Sequence, residues 1–330
     1  MSHKSKTLRF PLFLAGIVLC AAAPASAVQC GDEIRTDLTL TSNLTCSGNA
    51  LVVSGPLANQ PSITIDLNGY DITGDGTGTG ILILGGPVTL KGKGRISHFD
   101  TGVSINGTND VIAFDLAFEN DSTAISVLRA QAIRIFDNTI EAGASGQIGV
   151  LLTAVSHTAV YRNTVHGFAQ FGIRIPDGDP PDTSFPIIAE NIVRENQTGI
   201  SVRGLDSDSV IRGNTVADNA LNGIEIGPLF ESGCTIQENR VVKNGGNGIL
   251  LQDSIPNGCL VANNLVEKNG QNGISVLLGQ QNANQNIQVE GNRVSHNNTD
   301  LVWDGSSNAC WLQNVFISSS PQVLPKCPLF

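Results

Sequence analysis

From about residue 61 onward, apolar positions come in short alternating bursts, each cut off by glycine or asparagine. One stretch reads Cys234-Thr235-Ile236-Gln237-Glu238-Asn239-Arg240-Val241-Val242-Lys243-Asn244-Gly245-Gly246-Asn247-Gly248-Ile249-Leu250-Leu251. Alternation over two to five residues predicts strands, and the Asn and Gly between them predict turns. No segment after the N-terminus sustains a helical period. Eight asparagines mark a recurring place in this pattern: Asn138, Asn163, Asn191, Asn214, Asn239, Asn264, Asn292 and Asn314. Their spacings are 25, 28, 23, 25, 25, 28 and 22 residues, and an apolar residue follows two positions after each. The same register continues upstream through Leu116, Gly94 and Tyr70, which brings the count to eleven repeats.

A period of this length marks a solenoid. The unit is too long for a hexapeptide helix and lacks leucine-rich and WD signatures, so each repeat reads as one three-strand coil of a parallel β-helix. Eleven coils spaced by about 4.8 Å give a rod on the order of 50 Å long. The strand before each asparagine directs the residue three positions back into the core: Ile135, Val160, Ile188, Ile211, Ile236, Val261 and Val289. A second strand opens with glycine and a branched residue, as at Gly80-Ile81, Gly149-Val150, Gly172-Ile173, Gly199-Ile200 and Gly223-Ile224. That glycine answers either a close approach that forbids a Cβ or a positive φ. The aligned asparagines read as a structural ladder, with each amide bonding to the coils on either side.

The coil pattern, the asparagine ladder and the Gly-Ile-x-Ile strands resemble right-handed parallel β-helix repeat proteins of the pectate-lyase-like superfamily. The opening Cys30-Gly31-Asp32-Glu33-Ile34, followed by Asp37, Leu38, Leu40, Leu44 and Cys46, is similar to the start of many members. The resemblance implies an all-β chain organised as a leader (1–27), an N-terminal cap (28–60), coils (61–300) and a C-terminal cap with a final coil (301–330). It also implies a substrate groove on the outer face of one sheet. Activity is specified weakly, because the superfamily holds lyases, hydrolases, epimerases, copper-related NosD-type proteins and plain surface proteins.

Residues 1–27 carry Lys4, Lys6 and Arg9, an apolar run from Phe10 to Ala23, and Ala25-Ser26-Ala27. This predicts a secretory signal peptide cleaved after Ala27, with an apolar run too short to span a membrane. Secretion or a periplasmic location follows. Of the seven cysteines, six lie beyond the leader, an even number suited to disulfides in an oxidising compartment. Six cysteines allow fifteen pairings, which the repeat register narrows. Cys234 and Cys259 both stand five residues before a ladder asparagine, so they stack on adjacent coils. The expected bridges are Cys234–Cys259, Cys30–Cys46 and Cys310–Cys327, the outer two closing the ends.

The full chain has a formal charge of −10. The leader takes three of the 19 Lys and Arg and none of the 29 Asp and Glu, leaving 16 against 29, or −13. Such a surface repels nucleic acid and anionic membrane. It repels polyuronates too, unless calcium bridges the two.

Candidate chemistry concentrates mid-chain. Outward positions on the Gly-Ile strands run Ser126, Leu151, Arg174, Ser201, Glu225, Leu250 and Ser275, with Arg203 two residues beyond Ser201. Arg174, Arg203 and Glu225 therefore lie on three neighbouring coils. The loops that leave these coils carry Asp177, Asp179, Asp182, Asp206 and Asp208, an oxygen-rich set suited to Ca2+. Neighbouring cations weaken an arginine's hold on its proton. The resemblance implies that calcium-dependent lyases use carboxylates for calcium and an arginine as base in such a place.

Other signatures are missing. The polygalacturonase and Asp-Pro-His-Asp epimerase motifs do not occur, and His98, His157, His166 and His296 are scattered over different coils and registers as surface or turn residues. Besides phenylalanine the chain has only Tyr70, Tyr161, Trp303 and Trp311, so sugar stacking is not expected, and Trp311 reads as cap packing. The expected function is binding of an extracellular polysaccharide, with cleavage left open between lyase and hydrolase. The alternatives are a non-enzymatic surface module and, on fold analogy alone, a NosD-like role in copper handling.

Overall fold

The computed structural model describes residues 28–177, 184–204, 208–229, 233–279, 286–305 and 308–327. Among the described residues the chain winds through three parallel sheets of 13, 12 and 11 strands, each strand pairing with its counterparts on the adjacent coils. Eleven coils are complete in all three sheets, the first opening at Asp32–Ile34 and the last closing at Arg293–Ser295. We call the Gly-Ile strands the first sheet, those before the ladder asparagine the second, and those after it the third. Among the described residues no helix is long and apolar enough to cross a membrane.

Alternation in the sequence becomes inside and outside. Ile135, Val160, Ile188, Ile211, Ile236, Val261 and Val289 all face the interior and are fully buried or nearly so. Branched residues stacked coil upon coil make one continuous dry core. The glycines before the Gly-Ile strands answer the close approach rather than a positive φ. A Cβ on Gly199 would stand 2.5 Å from Val216 Cγ1 and 2.6 Å from the Gly223 carbonyl oxygen.

The asparagine ladder runs unbroken from Asn138 to Asn314. Asn239 shows the unit: its Oδ1 accepts from the backbone N–H and Nδ2 of Asn214, and its Nδ2 donates to Ile211 O and Asn264 Oδ1, all within 2.9–3.0 Å. A second ladder, not anticipated from the sequence, turns the chain from the third sheet back to the first. It comprises Asn196, Asn219, Asn244, Asn269 and Asn297, each linked to the next by amide bonds of 2.8–3.1 Å. Its signal was present: each of these residues stands five positions after a first-ladder asparagine.

All three expected disulfides form, with Cα–Cα distances of 5.6 Å for Cys30–Cys46, 4.5 Å for Cys234–Cys259 and 4.6 Å for Cys310–Cys327. The central one pairs residues directly opposite in the second sheet. Trp311 is buried in the core near the C-terminal end.

Candidate functional site

The first-sheet strands Phe171–Ile175, Thr198–Val202, Ile224–Ile226 and Ile249–Gln252 lie side by side on four coils. Their register aligns Leu151, Arg174, Ser201, Glu225 and Leu250 in one outward column. Parallel strands place such positions about 4.8 Å apart, and the small Ser201 is buried between Arg174 and Glu225. Its Oγ is buried and has no hydrogen-bond partner among the described residues. Arg203 leaves the end of the same strand and lies across Gly227 of the next coil, where a Cβ would stand 2.7 Å from Arg203 Cγ.

The two arginines differ in company. Arg203 Nη2 donates to Glu225 Oε1 at 2.6 Å, and its Nη1 is 4.0 Å from Asp177 Oδ2. That bond to Glu225 raises the Arg203 pKa above its ordinary value. Asn222 Nδ2 donates to Glu225 Oε2 at 2.8 Å and Gln252 Nε2 donates to Oε1 at 3.4 Å, so this nearly buried carboxylate is fully engaged. Arg174, in contrast, lies over the Phe171 ring at 4.0 Å and has no carboxylate within ion-pair reach among the described residues. Burial, and next the charge of Arg203, lower its pKa from the ordinary arginine value.

The structure thus brings Arg174, Arg203, Glu225 and Asp177 together. Asp208 turns elsewhere: its Oδ1 accepts from Gly233 N at 2.9 Å, in a recess lined by Cys234, Thr235 and Cys259. Asp179, Asp182 and Asp206 lie outside the described residues. The two described carboxylates do not by themselves fit a calcium cage, since one faces an arginine and the other a backbone N–H. Among the described residues no group of three His, Cys, Asp or Glu is arranged to hold a metal ion. Sequence reasoning overlooked Phe171, Asn222 and Gln252, which support the charged groups from neighbouring positions.

The histidines stay apart. His98, His157 and His296 occupy turns with positive φ and are exposed, whereas His166 Nε2 is 3.8 Å from Glu141 on the preceding coil. The aromatic residues are less dispersed than their number suggested. Phe114, Phe136 and Tyr161 form an outward column on the second sheet, with ring centroids 5.0 and 4.8 Å apart and nearly parallel planes.

A family model described as a right-handed beta helix region matches residues 71–227, and one described as periplasmic copper-binding protein (NosD) matches residues 183–326. No curated protein sequence matches the chain. Among solved structures, the Azotobacter vinelandii mannuronan C-5 epimerase AlgE6 A-module is 14% identical with a TM-score of 0.55, over 86% of this chain and 88% of that one. The periplasmic alginate epimerase AlgG is 13% identical with a TM-score of 0.53, over 86% and 78%. An exopolygalacturonase from Thermotoga maritima is 9% identical with a TM-score of 0.52, over 86% and 83%. Identities this low define architecture alone. The chain has a right-handed parallel β-helix fold.

Proposed function

We propose that the chain binds an acidic polysaccharide along the first sheet and takes a uronate carboxylate on Arg174. The observation that carries this reading is the state of that guanidinium, partly desolvated over Phe171 and without a carboxylate in ion-pair contact among the described residues. A desolvated planar cation gains most from a carboxylate that meets it bidentately. Glu225 does not compete for it, because Arg203, Asn222 and Gln252 already hold that carboxylate. Arg203 in turn weakens the hold of Arg174 on its proton. Arg174 is therefore also the group that would remove the proton α to a bound uronate carboxylate if elimination accompanies binding.

The likeness in fold to two epimerases of alginate or mannuronan and to an exopolygalacturonase is in keeping with a polyuronate ligand. Three disulfides suit the periplasm or the cell exterior, where a leader cleaved after Ala27 would deliver the chain. The copper-related reading gains no ligand set from the described residues: their six cysteines are closed in disulfides, and no metal-holding group of three is present among them.

Binding of the mature chain to polygalacturonate, polymannuronate and polyguluronate, with calcium and with chelator, tests the proposal. At least one polymer should bind. Arg174→Ala should weaken that binding by about tenfold or more, the worth of one charge-assisted pair. Equal binding by wild type and Arg174→Ala, or no binding to any polyuronate, overturns the reading. In the same samples, calcium-dependent ultraviolet absorbance marks a lyase, reducing ends without absorbance mark a hydrolase, and neither marks a binding module.

A further inference from the structure

A second recess opens on a different face, near the N-terminal end of the solenoid. Asp66, Asn68, Gly69, Lys91, Gly92, Lys93, Phe114 and Asp115 line it, and it measures about 500 Å3. Its origin is a difference in turn length. The turn from the second sheet to the third spans residues 67–71 on the second coil, 92–94 on the third and 115–116 on the fourth. Successive shortening leaves a step in the otherwise even side of the rod.

The end wall of that step is the first ring of the aromatic column. Phe136 covers one face of Phe114, with centroids 5.0 Å apart and planes 1° from parallel. The opposite face turns toward the preceding coil, where Ala113 pairs with Leu90 and the next residue is Lys91. Lys91 does not lie over that ring: its Nζ reaches Asp66 Oδ2 at 3.4 Å, and none of the cation–π contacts involves it. An apolar ring face is thus left open to the recess.

Polar groups of both signs frame the ring. Lys93 and Asp115 are exposed, and neither side chain makes an ion pair among the described residues. Their backbones are fixed, since Lys93 N donates to Asp115 O at 2.7 Å. Both sit at positive φ, as does Asn68. The charged lining comprises two lysines and two aspartates, so it balances to zero on a chain that is strongly acidic overall. Such a lining does not select a polyanion. It suits a ligand with one apolar face and a rim of hydroxyls that both donate and accept, and the volume lies within the roughly 300–1,000 Å3 of small-ligand sites.

We propose that this recess is a saccharide subsite for a neutral pyranose, stacked by its C–H face on Phe114 and hydrogen-bonded at its edge by Lys93 and Asp115. It lies three coils from Arg174 and on another sheet, and it does not depend on the polyuronate reading. The ligand classes differ accordingly, with a neutral sugar here and an acidic one at Arg174.

Calorimetric titration with neutral hexamers of glucose, mannose, galactose and N-acetylglucosamine tests the assignment. The mature chain should bind at least one of them. Phe114→Leu, which keeps an apolar side chain but removes the ring face, and Lys93→Ala should each weaken that binding by about tenfold or more. Arg174→Ala should leave it unchanged. Unaltered melting temperatures establish that the variants are folded, and Lys93→Ala, at an exposed position, serves if Phe114→Leu is not. Failure of every hexamer to bind overturns the proposal, as does binding indifferent to both Phe114 and Lys93. Polyuronate binding lost in Arg174→Ala but kept in Phe114→Leu would leave the first-sheet reading standing whichever way the hexamers behave.

Discussion

Asp121 stands at the turn where downstream coils carry the second-ladder asparagines. Its Oδ1 accepts from Phe99 N at 2.8 Å, as an asparagine Oδ1 does, but its Oδ2 takes the place of the donating amide and has no partner among the described residues. Burial, and to a lesser degree the charge of Glu119, push its pKa from 3.8 up to about 8. The folded state therefore favours the protonated acid, which restores a donor where the ladder wants one. The sign of the linkage follows. The contribution to stability is fully present below the unfolded value near 4, declines as pH rises, and is lost by about pH 8. Asp121→Asn should remove that decline: its melting temperature should exceed that of wild type at pH 8, with the difference shrinking toward pH 5. Parallel pH profiles for the two proteins would show that Asp121 is not the titrating group.

At the scale of the coil, the ladders and the glycine column act together. Asn239 exchanges four hydrogen bonds with neighbouring coils, whereas Asn314, at the end of the ladder, makes three, from Asn292 N and Nδ2 and to Val289 O, and is less buried. Asn239→Ala strands buried donors and acceptors on two coils and should cost on the order of 3 kcal/mol or more, and Asn314→Ala clearly less. Gly223→Ala sets a Cβ 2.5 Å from Val241 Cγ1 and 2.8 Å from Asn244 Nδ2, so it should destabilise by about 1–3 kcal/mol. Urea denaturation of the three variants checks the order. These features were legible from the sequence to different degrees. The first ladder, the inward column and the Cys234–Cys259 disulfide follow from register alone, because each is a residue type repeated at one place in the unit, whereas the two outer disulfides were expected only as closures of the ends. The second ladder was equally periodic but begins only at Asn196, since buried Phe99, Asp121 and Phe168 stand at the corresponding place on earlier coils. Counting aromatic residues concealed the column of Phe114, Phe136 and Tyr161, although each stands two positions before the same place in the repeat, held by Leu116, Asn138 and Asn163. In the candidate site, register aligned Arg174 with Glu225. It did not reveal that Glu225 pairs with Arg203, because side-chain reach along the rod is not encoded in spacing.

For the molecule as a whole, the acidic surface sets the kinetics of any encounter with a polyuronate. The formal charge of −10 for the full chain, and −13 without residues 1–27, opposes a polyanion at long range. Under the proposed function the attraction would come from Arg174, a single partly buried guanidinium facing outward from a strand midway along the rod. Salt acts on these two contributions differently. Raising ionic strength from about 0.01 M to 0.15 M shortens the screening length from about 30 Å to about 8 Å, which suppresses the long-range repulsion more than a close, desolvated pair. The association rate constant for a polyuronate should therefore rise with salt over that range, opposite to the behaviour of a basic surface that steers a polyanion inward. Arg174→Ala should retain this rise, because it leaves the repulsive field in place, and should instead shorten the lifetime of the complex. Stopped-flow association measured at the two salt concentrations distinguishes the cases. A rate that falls with salt would mean that a local positive field around Arg174 and Arg203 outweighs the acidic rod, and that the ligand is drawn to the site rather than reaching it against the charge of the molecule.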